Sequence, residues 1–322
     1  MQDERTDADK LKQKGNECYR NKRYLEAIDY YTQAIEIKSD ATFFANRAAC
    51  FFYTQKYRKS ISDCRQALLL NPEYKKAYLR KGSAELAVGE IEDALNTFLE
   101  GAKVDPSDKG IQNELTKAKK VKSYYEEFER YDNEKEYQIA LRKADAILEH
   151  CPGFTKIVIK KLLLAAKMGE FEEGVKLIKA NQQKLSSNPD FIYAAGLVYM
   201  YKGSSNHAIK MWRDGNSMAP DNTKCRDAVK RFKKQERIKK EATDLFKAKD
   251  YQNAYNKYKE AFDEDPDNRH FNSVLKANMG TCLMKLGKKK PALSEFHEAV
   301  SLNPTNGKAY MKRGNCQKEL EE

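Results

Sequence analysis

The 322-residue chain has few of the residues that interrupt helices, because only 15 are glycine and 8 are proline. It also has no run of about 18 apolar residues, the length that a transmembrane helix needs. The N-terminal segment, MQDERTDADK, lacks the basic start and the apolar core of a signal peptide. The sequence therefore predicts a helical protein without a membrane span, in a cytoplasmic or nuclear compartment.

Cysteine and histidine are too scattered to indicate a chemical site. The seven cysteines include no CxxC pair, and the four histidines lie far apart in the sequence. This spacing indicates neither a disulfide framework nor a zinc-type metal site. No nucleophile is spaced for activation by a base, and no glycine-rich phosphate loop occurs. We therefore expect no catalysis, no cofactor and no bound metal.

The charge is unbalanced, with 60 Lys and Arg against 48 Asp and Glu, for a formal net charge of +12. Such an excess favours acidic partners, which include nucleic acid, acidic lipid and acidic peptide. Short basic runs lie at 119–122, 230–234 and 288–290. The aromatic residues fall at predicted core positions and do not alternate with these runs, which argues against a nucleic-acid scaffold.

Small residues and prolines recur with a period of 34 residues. Pro72 and Pro106 are 34 residues apart, and so are Ala140, Gly174 and Ala208 in turn. A second set of small residues precedes them in what we predict to be the first helix of each unit: Gly15, Ala48, Gly82, Gly196, Ala242, Gly280 and Gly314. Small residues let paired helices approach closely, and the proline ends the second helix.

This pattern resembles the tetratricopeptide repeat. The resemblance implies an all-α, right-handed superhelix (an α-solenoid) of about eight and a half repeats, in which the first helix of each pair lines the concave face.

The step from Pro106 to Pro152 is 46 residues, as is that from Pro220 to Pro266. We interpret the extra residues, near 109–120 and 223–234, as helical extensions. They predict three groups of repeats, at 8–120, 121–234 and 235–322. An insertion near 270–273 explains a longer step to Pro304.

Five polar residues fall on consecutive first helices in the first group. Lys12 and Asn16 lie four apart, Asn46 is on the next first helix, and Lys76 and Arg80 are again four apart. Spacing of four places each pair on one helical face. Three cations and two amides in one groove suit a C-terminal aspartate, which carries two carboxylates.

The segments LKQKGNECY, FFANRAAC and YKKAYLRKG resemble the carboxylate clamp of co-chaperone tetratricopeptide domains. That resemblance implies binding of the EEVD tails of Hsp70 and Hsp90. The third group holds an imperfect second clamp, whose residues are Lys239, Thr243, Asn278, Lys308 and Lys312. The middle group has Tyr125, Glu129, Lys160, Asp190 and Ala194 at these positions, and its carboxylates would repel a tail.

The three groups, with KAYMKRGNC and YQNAYNKYKEAF in the last, resemble cytosolic J-domain co-chaperones that carry tetratricopeptide repeats. In that family a J domain with an HPD tripeptide follows the repeats, and this sequence contains no HPD. Two alternatives stay open. One is direct binding of unfolded client proteins, as in the related luminal J-domain proteins, and the other is a general protein-interaction scaffold.

Overall fold

The computed structural model describes residues 2–321, with side chains from residue 7 onward, and these residues form 17 α-helices and no β-strand. In chain order the helices are α1 Gln2–Arg20, α2 Tyr24–Ile37, α3 Ala41–Tyr53, α4 Tyr57–Leu70, α5 Lys75–Val88, α6 Ile91–Val104, α7 Lys109–Asn133, α8 Tyr137–His150, α9 Thr155–Met168, α10 Phe171–Leu185, α11 Pro189–Tyr201, α12 Ser205–Met218, α13 Lys224–Lys247, α14 Tyr251–Asp263, α15 Arg269–Lys285, α16 Lys289–Leu302 and α17 Gly307–Glu321. The predicted all-α class is confirmed.

Helix pairs are held together by an aromatic ring that packs on a glycine. A Cβ atom built on Gly82 would lie 2.5 Å from the Phe98 ring, and one built on Gly196 would lie 2.0 Å from Trp212. Both rings are fully buried. Since any side chain at these glycines would overlap the ring, the prediction that small residues permit close helix pairing is confirmed at these positions.

The expected helical extensions are confirmed as parts of two long helices. Helix α7 has 25 residues and α13 has 24, so each joins its extension to the first helix of the next repeat without a break. Helix α15, with 17 residues, takes up the insertion near 270–273. The Asp108 carboxylate starts α7, where it accepts hydrogen bonds from the backbone N–H groups of Gly110 and Ile111 at 2.8 and 3.1 Å.

The turn inside each repeat contains one residue in the left-handed backbone region. In repeats 3, 5, 6 and 8 this residue is a glycine, such as Gly287 with φ 73°. In repeats 1, 2, 4 and 7 it is lysine or glutamine: Lys22, Gln55, Lys135 and Lys249, with φ between 59° and 65°. The sequence analysis did not identify these turn positions, because half of them lack glycine.

The helices form two compact units, one up to Val158 and the other from Ile159 onward. The boundaries predicted at residues 120 and 234 lie within α7 and α13, and the three groups stay a prediction. No helix in the described part of the chain is both long enough and apolar enough to cross a membrane.

Candidate functional site

The first helices of repeats 1–3, together with Tyr31 of α2, line an open pocket of about 390 Å³, which we call the Arg80 pocket. It is lined by Asn16, Tyr19, Arg20, Tyr31, Asn46, Ala49 and Arg80. Three of the five residues predicted from the sequence are therefore brought together, one from each of α1, α3 and α5.

Hydrogen bonds orient the two asparagine amides of the Arg80 pocket. The Asn16 Oδ1 atom accepts from the Tyr31 hydroxyl at 2.7 Å and from the Asn46 Nδ2 group at 3.2 Å. The Asn46 Oδ1 atom accepts from Arg80 Nη1 at 3.3 Å. These bonds fix the orientation of both amides. The Asn16 Nδ2 group has no acceptor among the described residues, so its N–H donors are available to a ligand.

The Arg80 guanidinium has no carboxylate partner in the described part of the chain. Its Nη1 group donates to the Ala45 carbonyl oxygen and to Asn46 Oδ1, which are both neutral. Arg47 of repeat 2 differs, since it forms two hydrogen bonds to the Asp63 carboxylate, at 2.8 and 2.9 Å. A half-buried cation without a counterion is a site where an anion is favoured.

The residues around Arg80 also stay uncharged at neutral pH. Burial raises the pKa of the Tyr19 hydroxyl to about 12, and the Arg80 charge acts against this increase. Burial likewise raises the pKa of the Cys50 thiol to about 12, again opposed by Arg80. Since neither group ionises near pH 7, the positive charge of Arg80 is not cancelled by its neighbours.

The two remaining predicted residues, Lys12 and Lys76, lie one helical turn before Asn16 and Arg80 and are not part of the pocket lining. The Lys12 Nζ atom is 2.7 Å from the Asp9 carboxylate, in a pair that is partly exposed on both sides. It also lies 5.6 Å from the centre of the Phe43 ring. Lys76 is exposed and has no partner among the described residues.

The third group repeats part of this geometry. The Lys312 Nζ atom donates to the Ala277 carbonyl oxygen at 3.4 Å, as Arg80 does to Ala45. The Thr243 hydroxyl lies 3.0 Å from the Tyr258 hydroxyl, as Asn16 lies near Tyr31, but it also donates to the backbone carbonyl of Lys239 at 2.9 Å. Thr243 therefore keeps no donor for a ligand.

The remaining predicted residues of the third group are two lysines and an asparagine. The Lys239 Nζ atom lies 4.7 Å from the Phe271 ring centre, which parallels Lys12 and Phe43. Asn278 is half-buried on α15, and Lys308 is exposed on α17. Burial lowers the pKa of the Lys312 ammonium, and the nearby Lys308 charge acts in the same direction.

In the middle group the acidic residues at the corresponding positions are already paired with lysines. The Lys156 Nζ atom contacts the Tyr125 hydroxyl and lies 3.3 Å from Glu129 Oε1. Asp190 accepts from Lys224 Nζ at 2.7 Å, which lowers the pKa of its carboxyl group. The two other residues at clamp positions of the middle group are Lys160, which lies on α9, and Ala194, which is buried on α11.

A second pocket, of about 510 Å³, adjoins the Arg80 pocket and was not anticipated from the sequence. The two share Tyr19, Ala49 and Arg80. Its further lining includes Phe52, Tyr53, Tyr57, Leu79, Leu86, Glu114, Lys117, Glu149, His150 and Pro152. The Tyr24 and Tyr53 rings stack beside it with their centres 4.9 Å apart. Periodicity places these aromatic residues on helices but does not indicate that they border an open groove.

Comparisons with known proteins agree with the repeat pattern. Tetratricopeptide-repeat models match residues 13–40, 51–110 and 245–316. The human (Homo sapiens) DnaJ homolog subfamily C member 7 is 29% identical over the whole chain, which spans 65% of that protein's length. The Plasmodium falciparum Hsp70-Hsp90 organising protein is 30% identical over 114 residues, covering 35% of this chain and 45% of that protein.

Among solved structures, the P58(IPK) TPR domain superposes with a TM-score of 0.63 at 21% identity, covering 98% of this chain and 89% of that one. This likeness supports the fold. The expected similarity to J-domain proteins with tetratricopeptide repeats is confirmed over the full length of the chain.

Proposed function

We propose that this tetratricopeptide-repeat chain is a non-catalytic co-chaperone adaptor, which binds the acidic C-terminal EEVD tails of Hsp70 and Hsp90 in the Arg80 pocket. One observation carries the proposal: the Arg80 guanidinium and the Asn16 and Asn46 amides meet in one pocket, and no described carboxylate neutralises the guanidinium. A ligand that brings carboxylates supplies the missing counterion.

The chemistry of a C-terminal aspartate matches these groups. It presents an α-carboxylate and a side-chain carboxylate close together, which are acceptors for a guanidinium and for amide N–H groups. Each charge-assisted hydrogen bond contributes roughly 1.5–3 kcal/mol. Lys12 exchanges its Asp9 partner for the ligand at little cost, since the Lys12–Asp9 pair is partly exposed. Lys76, which is exposed, adds a further cation.

The names of two relatives support this class of partner. One is a DnaJ homolog, and the other is named for organising Hsp70 and Hsp90. For this chain the same partners are our proposal, and they rest on the pocket chemistry.

In the third group, Lys239, Thr243, Asn278, Lys308 and Lys312 form a second, weaker site. Lys312 lacks the two-pronged donor geometry of arginine, and burial disfavours its charged form. Thr243 donates to its own helix and offers no amide. We expect tails bound here to dissociate faster than those in the Arg80 pocket.

Calorimetric titration of a synthetic EEVD peptide tests the proposal. We expect a dissociation constant in the micromolar range, about −8 kcal/mol, which weakens as salt screens the ionic contacts. Arg80→Glu should abolish binding by the Arg80 pocket without loss of helicity, because it places a carboxylate where the tail's carboxylate would lie. Lys103→Gln is the control, since Lys103 is an exposed lysine on the second helix of repeat 3. Equal binding by Arg80→Glu and wild type would refute the assignment.

A further inference from the structure

Arg20 is a further cation of the Arg80 pocket, outside the five residues of the clamp pattern. It is the last residue of α1 and lines the pocket together with Asn16, Asn46 and Arg80. Its position, four residues after Asn16 and eight after Lys12, places it on the same face of α1. The Arg20 Nε group donates to the Asn16 carbonyl oxygen at 3.4 Å, which holds the base of the guanidinium against the helix.

The positive charge of Arg20 is available to a ligand. Arg20 is exposed, and no carboxylate in the described part of the chain pairs with it. The next arginine along the chain differs, because Arg23 Nη1 lies 2.9 Å from the Glu26 carboxylate. Since Nε is the only Arg20 nitrogen with a described acceptor, the two terminal nitrogens keep their donors for an incoming acceptor.

The distance along α1 indicates which part of a bound tail Arg20 reaches. At about 1.5 Å per residue, Arg20 lies roughly 6 Å beyond Asn16 along the helix axis. An extended peptide advances about 3.3 Å per residue. A tail whose terminal carboxylates are held near Asn16 and Arg80, and which runs along α1 toward Arg20, therefore passes Arg20 about two residues before its end.

We propose that Arg20 binds the side-chain carboxylate of an acidic residue upstream of the terminal aspartate, and so selects tails with acidic residues at that point. This inference rests on the proposed function, because it takes the terminal carboxylates to be bound in the Arg80 pocket. It assigns the pocket two separate tasks. Arg80 and the amides bind the chain terminus, and Arg20 recognises the acidic residue that precedes it.

A double-mutant cycle with the full chain tests this inference. The variants are Arg20→Gln, the charge-retaining Arg20→Lys and the control Arg23→Gln. The probes are a synthetic EEVD peptide and two versions in which one glutamate is replaced by glutamine. We expect Arg20→Gln to weaken binding of the EEVD peptide by roughly 3- to 10-fold, Arg20→Lys to weaken it less, and Arg23→Gln to leave it unchanged.

Coupling between protein and peptide decides the outcome. If Arg20 binds a glutamate, a peptide that lacks this glutamate should bind Arg20→Gln and the wild-type chain with equal affinity. We expect this result for the peptide in which the glutamate nearer the terminus is replaced. If Arg20→Gln lowers the affinity equally for all three peptides, or does not lower it at all, the role of Arg20 is overturned. The proposed function still stands in that case, provided that the wild-type chain binds the EEVD peptide. Failure of the wild-type chain to bind the EEVD peptide would overturn both.

Discussion

Arg80 illustrates how a residue can be placed for binding at the expense of stability. Its guanidinium is half-buried, and its described partners are a backbone carbonyl and an amide oxygen. Removing a cation from water without a counterion costs free energy, which neutral acceptors recover only in part. A residue held this way is explained better by an anionic ligand than by folding.

We therefore expect Arg80→Met to leave the free energy of unfolding unchanged or to raise it by up to about 1 kcal/mol, since the long apolar side chain fills similar space without the charge. The same substitution should remove binding of the EEVD peptide. Urea unfolding followed by circular dichroism measures the first effect, and calorimetry measures the second.

Arg47→Met is the matched comparison for Arg80→Met. It leaves the Asp63 carboxylate, which is 6% exposed, without its partner, and the expected loss is about 3–5 kcal/mol. A loss as large for Arg80→Met would mean that Arg80 is a structural residue.

Gly280 and Gly314 occupy the same position in successive repeats and make a second matched pair. A Cβ atom at Gly280 would lie 2.6 Å from the buried Phe296 ring, whereas one at Gly314 would have no described atom within 4 Å. Gly280→Ala should therefore cost about 1–3 kcal/mol through overpacking. Gly314→Ala should be neutral or add roughly 0.5–1 kcal/mol, because alanine loses less conformational freedom in a helix. Equal effects on the unfolding midpoint would contradict this account of helix pairing.

At the scale of the elements, each of repeats 1–8 makes its internal turn with one left-handed residue, which is a glycine in only half of them. A residue with a Cβ pays roughly 1–2 kcal/mol in that region. Lys249, with φ 65°, carries this strain in repeat 7, and Gly287, with φ 73°, avoids it in repeat 8.

We expect Lys249→Gly to raise the free energy of unfolding by about 0.5–1 kcal/mol, since glycine removes the strain but makes the unfolded chain more flexible. The reverse change, Gly287→Lys, should lower it by a similar amount, because no described atom lies near enough to clash. Chemical denaturation of both variants measures the two changes in the free energy of unfolding. Stabilisation by Gly287→Lys would show that the turn does not impose the left-handed conformation.

The helices and their pairing could be predicted from the sequence because they depend on periodic features. Glycine in the first helix and an aromatic ring in the second recur at a fixed spacing, as do the extensions in α7 and α13. The turn at Gln55 could not be predicted, since nothing local distinguishes a left-handed glutamine. The Lys12–Asp9 pair and the bond from Tyr31 to Asn16 also escaped prediction. Such contacts depend on side-chain rotamers and on neighbouring helices, which periodicity does not specify.

At the scale of the whole molecule, the formal net charge of +12 already subtracts every acidic residue, so ion pairs leave this excess unchanged. Each basic run contains a lysine that is paired with an acidic residue outside its own helix: Lys122 with Glu92 at 2.8 Å, Lys234 with Glu264 at 2.5 Å and Lys289 with Glu319 at 3.7 Å. The Arg80 pocket differs, because Arg20 and Arg80 have no described carboxylate. The Arg80 pocket, where we propose that the tail binds, thus holds two cations without a described counterion.

The most direct test is a calorimetric titration of the wild-type chain with two EEVD peptides, one ending in a free carboxylate and the other in a carboxamide. The amide keeps every side chain of the peptide, removes the negative charge of the terminus and replaces one of its two acceptor oxygens by an NH2 donor. Our account predicts micromolar binding of the acid and a loss of at least about 10-fold for the amide, equal to about 1.4 kcal/mol. Equal affinity for the two peptides would contradict it, because the Arg80 pocket would then not be holding a chain terminus.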